Sequence, residues 1–269
     1  MIVPDAALTQ YFQRIGFAGK ATADLACLQQ LHALHPRVIA FENLNSWLGL
    51  PVTLEAATLF DKLVLQGRGG YCFEQNLLFM QVLRSLGFSM QGLAARVLWN
   101  MPADVQTPRS HMLMLLEVNG QRYIADVGFG GLTLTAPLLL DTQEVQSTPH
   151  ENFRIVRSDD HYELLVQIGN DWQKVHRFGL ERHILPDYTV SNWWVSTMPQ
   201  SRFVTQLIAG RPDHSCRHTL NNTRYSRHYP DKPSEHIQLE TPAQVRRVLE
   251  ETLLIDTGPP DDAVLAALG

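Results

Sequence analysis

Arg68-Gly69-Gly70-Tyr71-Cys72-Phe73-Glu74-Gln75-Asn76 is the stretch on which the fold of this chain turns. Two consecutive glycines provide a tight turn with positive φ and leave no side chain in front of the sulfur. From Phe73 to Leu86 the residues read as a helix, apolar except for a narrow stripe of Glu74, Gln81 and Ser85, and stopped by Gly87. Cys72 therefore falls at the first turn of a helix that is buried on nearly all sides. Unpaired N–H groups and the positive end of the helix dipole point at the sulfur there, and Arg68 stands close by in sequence; all three favour the thiolate. A lone cysteine among apolar neighbours is most often a small core residue. This setting is instead that of a nucleophile on a rigid mount.

Around that stretch, the 269 residues are 45% hydrophobic, enough to bury a substantial core in one large unit or two to three compact ones. The net charge of −5 is mild and the basic residues are scattered, which argues against nucleic acid or an anionic membrane as the main partner. Met1-Ile2-Val3-Pro4-Asp5 lacks the basic and apolar regions of a signal peptide, and no apolar run approaches a membrane span, so a cytoplasmic location is expected. Cys27, Cys72 and Cys216 lie far apart, so neither a disulfide framework nor a structural zinc site is expected.

Residues up to Gly87 read as helical. Leu8, Tyr11, Phe12 and Ile15 follow helical spacing up to Gly16. A second helix, capped near Thr22 or Asp24, runs through Leu25, Leu28, Leu31 and Leu34 and is expected to end before Pro36. A third apolar segment spans Leu54 to Leu65, and the cysteine helix closes the bundle. Between the second and third lies Phe41-Glu42-Asn43-Leu44-Asn45, which fits neither period: either a loop whose Glu42 and Asn43 satisfy backbone groups, or a segment with a role near the thiol.

From Phe88 the pattern changes to strands. Leu93 to Trp99 is short and β-rich, broken by Asn100-Met101-Pro102. His111 to Val118, then Asn119-Gly120, then Gln121 to Val127 form a strong hairpin signal, because Asn-Gly supplies the two positive φ angles of a type I′ turn. With those two as the loop, Asp126 faces Leu113 and His111 faces Gly128. His111 and Asp126 then lie on one face as diagonal neighbours, about 7–8 Å apart along the backbone and within reach of each other's side chains. A slip of one residue would separate them to opposite faces.

Cysteine, histidine and aspartate in this arrangement make a catalytic set. The imidazole takes the thiol proton, and the carboxylate fixes the imidazole tautomer and stabilises its charge. Gln66, six residues before Cys72, stands where papain-like peptidases carry an oxyanion glutamine, although the residues beside Cys72 are not the papain signature. Beyond Asp126, Gly128, Gly130 and Gly131 allow consecutive backbone N–H groups to form an anion-binding concavity suited to a phosphate or pyrophosphate. No helix follows and no phosphate-loop lysine is present, so this is not a dinucleotide fingerprint.

Arg68 to Asn76, Ser110-His111 and Ile124-Ala125-Asp126-Val127-Gly128-Phe129-Gly130-Gly131 together resemble the three signatures of the arylamine N-acetyltransferases. Phe41 to Leu44 and Ser196 to Phe203 resemble further segments of that family, and the likeness extends past residue 220. It implies an α+β fold: a helical N-terminal bundle, a central β-barrel and a C-terminal α/β lid around a papain-like Cys-His-Asp core. It also implies a Cys72–His111–Asp126 triad that moves acetyl from acetyl-CoA to an arylamine, arylhydroxylamine or hydrazine, with no metal in the chemistry. By position, Phe41, Val97, Phe129 and Phe203 match residues that wall the family's acceptor cleft. Gln66 is outside the family's motif, so its papain-like offset reads as coincidence. The corresponding division is residues 1–87, 88–190 and 191–269.

The rest of the chain adds less. Asn152 to Val175 alternates as strands, with a turn at Gly169-Asn170-Asp171. Trp193 and Trp194 are expected to pack the junction of barrel and lid, or to stack on substrate. Arg202 to Ala209 and Pro242 to Leu253 read as short helices, and Asp256 to Asp262 as a flexible linker. His214, Cys216 and His218 would share a face if extended, yet their arginine-rich surroundings make them read as ordinary exposed strand residues rather than a metal site. The residues alone leave two other readings open: a papain- or transglutaminase-like amidohydrolase using the same triad, and a non-catalytic scaffold that keeps the fold for partner binding. They do not fix the oligomeric state.

Overall fold

The computed structural model describes residues 4–102 and 105–258. α1 (Asp5–Ile15) buries Leu8, Tyr11 and Ile15 and ends at Gly16 in the left-handed region, as its spacing implied. α2 (Leu25–Val38) is capped by Asp24, whose carboxylate accepts from Cys27 N at 2.8 Å. It does not stop before Pro36. A proline in the final turn costs one intrahelical bond, but Ile39 N still donates to His35 O at 2.8 Å and the helix continues to Val38. The buried face made by Leu28, Leu31, His32 and His35 holds it in place.

β1 (Phe41–Glu42), α3 (Leu44–Trp47) and α4 (Ala56–Phe60) follow; α4 runs on as a π-helical turn, Asp61–Leu65. α5 (Cys72–Ser85) is the cysteine helix, and its first turn is tied by Glu74 Oε2 accepting Tyr71 N at 3.0 Å. The glycines before it act through space rather than through φ. A Cβ on Gly69 would lie 2.1 Å from Ala40 O, and one on Gly70 2.7 Å from Glu74 Oε2, whereas neither residue has positive φ. The polar stripe is also broader than expected, since Gln75 and Asn76 are buried in this helix.

Eight strands then form one antiparallel sheet: β2 (Ser89–Val97), β3 (His111–Val118), β4 (Gln121–Ala125), β5 (Leu138–Leu139), β6 (Gln146–Ser147), β7 (Asn152–Arg157), β8 (Tyr162–Ile168) and β9 (Asp171–Phe178). Their order is β5-β4-β3-β2-β9-β8-β7-β6, and the two ends nearly meet. Gln146 spans the seam, its side-chain amide accepting from Leu139 N at 2.7 Å and donating to Leu139 O at 2.9 Å. The β3–β4 hairpin has the expected register, from Val118↔Gln121 to Met114↔Ala125, with Asn119 and Gly120 both at positive φ. β3 is buried on both sides. Met112, Met114 and Leu116 pack with the α5 core, while Leu113 joins Leu93, Phe153 and Val175 inside the barrel.

α6 (Leu185–Thr197) and α7 (Arg202–Thr205) lead to β10 (Ile208–Pro212), β11 (Arg217–Asn221), β12 (Arg224–His228), β13 (Glu235–Gln238) and α8 (Pro242–Arg247), which continues as a π-helical turn, Val248–Thr252. The second sheet runs β1-β10-β11-β12-β13, so the bundle segment at Phe41 supplies an edge strand to the lid. Ala209 pairs with Glu42 in that sheet, so the helix expected over Arg202 to Ala209 covers only its first four residues.

α6 had no sequence counterpart. Its inward face is Tyr188, Asn192, Val195 and Ser196, at helical spacing but half polar, while Trp193 and Trp194 lie on the outer face at 66% and 40% exposure. They do not pack the barrel–lid junction. At the β10–β11 turn, His214 is exposed but Cys216 and His218 are buried, contrary to the expectation of three exposed strand residues. The stretch from Asp256 to Asp262 lies outside the described residues from 259 onward. Among the described residues no helix is long and apolar enough to cross a membrane.

Candidate active site

Three elements converge on one buried cluster. Cys72 is the first residue of α5, His111 the first of β3, and Asp126 follows the last residue of β4; all three are buried. His111 Nε2 lies 2.7 Å from Asp126 Oδ2, as the hairpin register required. With Nε2 committed to the carboxylate, Nδ1 is the ring nitrogen left for the thiol. Burial works against a charged imidazole, but the Asp126 charge, its hydrogen bond and a hydrogen bond with Cys72 outweigh it and raise the His111 pKa to about 10. Burial likewise works against the carboxylate, and the same partner, with His176 and Asn76, holds Asp126 well below the usual range. His111 and Asp126 thus stand as an ion pair at neutral pH.

The second oxygen of Asp126 is equally fixed. Oδ1 accepts from Asn76 Nδ2 and from Gly128 N, both at 2.9 Å. Asn76 also accepts from Val127 N at 3.0 Å and donates to Met112 O at 2.8 Å, so one side chain on α5 pins both strands of the hairpin. Asp126 N donates to His32 Nε2 at 3.1 Å, and burial keeps that imidazole neutral, its pKa lowered to about 4. Behind it, His35 Nε2 donates to Gln75 Oε1 at 2.7 Å, which leaves Nδ1 to accept from the Tyr11 hydroxyl at 2.8 Å. Gln75 Nε2 in turn donates to Ala40 O at 2.7 Å and Gly70 O at 3.1 Å, locking the glycine turn beneath the cysteine.

His176, on β9, completes the surroundings. It pairs in register with Val97, its ring centroid is 5.4 Å from that of His111, and Nε2 stands 3.9 Å from Asp126 Oδ2. Among the described residues neither of its ring nitrogens has a hydrogen-bond partner, and burial followed by the His111 charge lowers its pKa to about 3. Asn76, Gln75, His32 and His176 escaped the sequence reading. For the first two a signal existed, polar residues on an otherwise buried helix face; for the histidines there was none short of the three-dimensional fold.

Some expected contributors lie elsewhere. Arg68 is bound to Glu42 Oε1 at 2.9 Å and to Asn45 Oδ1 at 3.0 Å, so its charge is met by Glu42 rather than left for the sulfur. Glu42 and Asn43 satisfy backbone groups: Glu42 Oε2 accepts from Leu44 N, and Asn43 bonds Phe203 O, Gln206 O and Ile208 N. Gln66 is exposed and donates to Asp61, which removes it as an oxyanion donor.

Of the aromatic residues named for the acceptor cleft, Phe129 lies against His111, while Phe41 and Phe203 pack on each other. The Phe129 ring is edge-on to His111 at 5.0 Å; the Phe203 ring is 6.0 Å from Phe41 and 5.6 Å from Tyr71. Half-buried Val97 sits at the end of β2. Of the glycines, Gly128 is a packing residue, because a Cβ there would stand 2.8 Å from Cys72 Cα. Its N–H is engaged by Asp126 and that of Phe129 by Thr133, so Gly130 and Gly131 are what remains of the expected concavity. Gly131 borders a cavity of about 810 Å³ between barrel and lid, lined also by Trp99, His150, Arg217, Thr219 and His228. Arg217 is buried and paired with Glu151, and its Nη1 has no partner among the described residues.

A family model described as N-acetyltransferase matches residues 24–259. The arylamine N-acetyltransferase of Mycolicibacterium smegmatis is 40% identical over 252 residues, covering 92% of this chain and 91% of that protein. A Salmonella typhimurium relative named arylamine N-acetyltransferase / N-hydroxyarylamine O-acetyltransferase is 34% identical, over 91% of this chain and 87% of its own length. The structure of the Mycobacterium marinum arylamine N-acetyltransferase in complex with CoA superposes with a TM-score of 0.93 at 36% identity, covering 97% of this chain and 98% of that one.

Proposed function

Because the chain belongs to the arylamine N-acetyltransferase family, we propose that it transfers acetyl from acetyl-CoA to the nitrogen of arylamines or hydrazines, or to the oxygen of arylhydroxylamines, through an acetyl-cysteine intermediate. The observation that carries the mechanism is the 2.7 Å contact of His111 Nε2 with Asp126 Oδ2 beside a helix-terminal cysteine.

In the first half-reaction the Cys72 thiolate attacks the thioester carbonyl carbon. The Cys72 S–C bond forms, the bond to the CoA sulfur breaks, and the His111 imidazolium gives its proton to the leaving thiolate. The Cys72 N–H at the α5 N-terminus stabilises the oxyanion. In the second, the acceptor attacks the acetyl carbon, His111 takes its proton, and the Cys72 thiolate is released. Asp126 stays ionised throughout and holds the imidazole tautomer.

Phe41, Val97, Phe129 and Phe203 form the acceptor cleft and keep water from the acetyl-enzyme. The cavity bordered by Gly131 receives CoA, with Gly130 next to it in the chain, and the unpartnered Arg217 Nη1 suits a phosphate oxygen there. The chain works in the cytoplasm, where its three free thiols stay reduced. In domain terms, residues 1–87 carry the nucleophile, 88–190 the histidine and aspartate, and 191–269 the lid.

Initial rates measured against acetyl-CoA at several fixed concentrations of an aromatic amine test the scheme. Parallel double-reciprocal lines are expected, because CoA leaves before the amine reacts. Intersecting lines would mean direct transfer in a ternary complex, with His111 as the base and Cys72 carrying no acetyl.

A further inference from the structure

A second cluster of metal-ligating side chains, sharing no residue with the triad, lies in the lid sheet at the turn between β10 and β11. Asp213, Cys216 and His218 bring one carboxylate oxygen, the sulfur and one ring nitrogen within 4.8 Å of one another. We propose that these three residues form a zinc site, with water as the fourth ligand.

The spacing fits the ion. Cys216 Sγ is 3.6 Å from His218 Nε2. In a tetrahedral site, Zn–S of about 2.3 Å and Zn–N of about 2.0–2.1 Å put sulfur and nitrogen about 3.6 Å apart. His218 Nε2 and Asp213 Oδ2 are 2.9 Å apart. A zinc ion between them requires about 3.3 Å, a widening of a few tenths of an ångström at a surface turn.

The ligands are already aimed. Asp213 Oδ1 accepts from Cys216 N at 2.8 Å and Ser215 N at 2.7 Å, and also from the Ser215 hydroxyl, which leaves Oδ2 to face the cluster. His218 Nδ1 is 2.7 Å from the Tyr225 hydroxyl, whose oxygen accepts from Arg227 Nε at 3.1 Å. Without an ion His218 Nε2–H donates to the Asp213 carboxylate; when zinc takes that proton's place, the remaining proton sits on Nδ1 and the Tyr225 oxygen accepts it, the usual outer support of a metal-bound histidine. Cys216 and His218 are 2% and 8% exposed, whereas Asp213 is partly open to solvent and gives the ion its way in and the water its place.

The consequence is positional. The turn is held from the barrel by His150 Nε2 donating to Asp213 O at 2.8 Å, and β11 goes on through Arg217 and Thr219, two residues of the cavity wall. Zinc at the turn fixes the start of β11 and hence that wall.

Cobalt(II), titrated into the full-length chain after chelator treatment, tests the site. The decisive chain carries Cys27→Ala and Cys72→Ala, which leaves Cys216 as its sole thiol. One equivalent should bind with an intense sulfur-to-cobalt charge-transfer band and the visible bands of tetrahedral cobalt, and zinc should displace it. His218→Gln in the same background, checked for native circular dichroism, should abolish the charge-transfer band. Absence of that band in the folded double variant overturns the proposal. So does a band that survives His218→Gln, or one present only when Cys72 is present, which would assign the metal to the catalytic thiol.

Discussion

Asn76 Nδ2 donates to Asp126 Oδ1 at 2.9 Å, so the residue one helical turn beyond Cys72 holds the carboxylate that pairs with His111. Asn76→Ala breaks this bond and leaves Met112 O and Val127 N without their partner as well. Each buried group left unsatisfied costs about 1–3 kcal/mol. We expect a lower denaturation midpoint and, from the loosened carboxylate, turnover reduced by about 10²-fold. A folded Asn76→Ala enzyme with normal turnover would show that Asp126 is held without it.

Asp126→Asn should keep the fold but lower turnover by about 10³–10⁴-fold, because an amide supports the wrong imidazole tautomer and does not offset the imidazolium charge. Circular dichroism and steady-state rates measure the two effects separately. A folded variant within about threefold of the parent rate would make the aspartate structural.

The pH titration of the His111 ring, followed by its carbon-bound proton resonances, is set by its raised pKa. A raised value means the imidazolium persists from acid through the ordinary histidine value of 6.5 and is lost only as pH rises through about 10. Asp126, held low, remains ionised over the same window. The His111 ring resonances should therefore show no titration step near pH 6.5. The stability that the His111–Asp126 pair contributes should be full between the ordinary aspartate value of 3.8 and pH 6.5, be lost as pH falls through the depressed Asp126 value, and fall away on approach to about 10. A His111 titration step near 6.5 would mean that the imidazole is neutral in the resting enzyme.

Gly128→Ala tests the close approach of the hairpin to α5. The added methyl would stand 2.8 Å from Cys72 Cα and 3.0 Å from Asn76 Nδ2, so one of the two elements must shift. Overpacking of this kind costs about 1–3 kcal/mol. Thermal melting and kcat should both fall, whereas an unchanged protein would mean that the hairpin yields freely.

What the sequence made legible was local or periodic. The Asn119-Gly120 turn fixes its own register, and that register brings His111 to Asp126. Cys72 was readable because glycines and a buried helix flank it, although Gly69 and Gly70 turned out to serve contact with Ala40 and Glu74 rather than positive φ. What escaped depended on distant strands or on polar core faces. His176 arrives from β9, 50 residues beyond Asp126, and carries no motif. α6 buries Asn192 and Ser196 and exposes both tryptophans, so an apolar-inside rule misreads it. Asn192 is buried because it accepts from the Tyr71 hydroxyl and donates to Val52 O at 2.9 Å. Pro36 misled for the opposite reason, since tertiary packing outweighed a local helix breaker.

The central claim is that Cys72 carries the acetyl group. Intact-protein mass spectrometry after brief mixing with acetyl-CoA alone, followed by peptide mapping, tests it most directly. The account predicts one added acetyl per chain, located on Cys72, formed with release of one equivalent of CoA and removed when an aromatic amine is added. A chain that turns over acetyl-CoA and amine normally, yet shows no acetyl on Cys72 at any time, would contradict it.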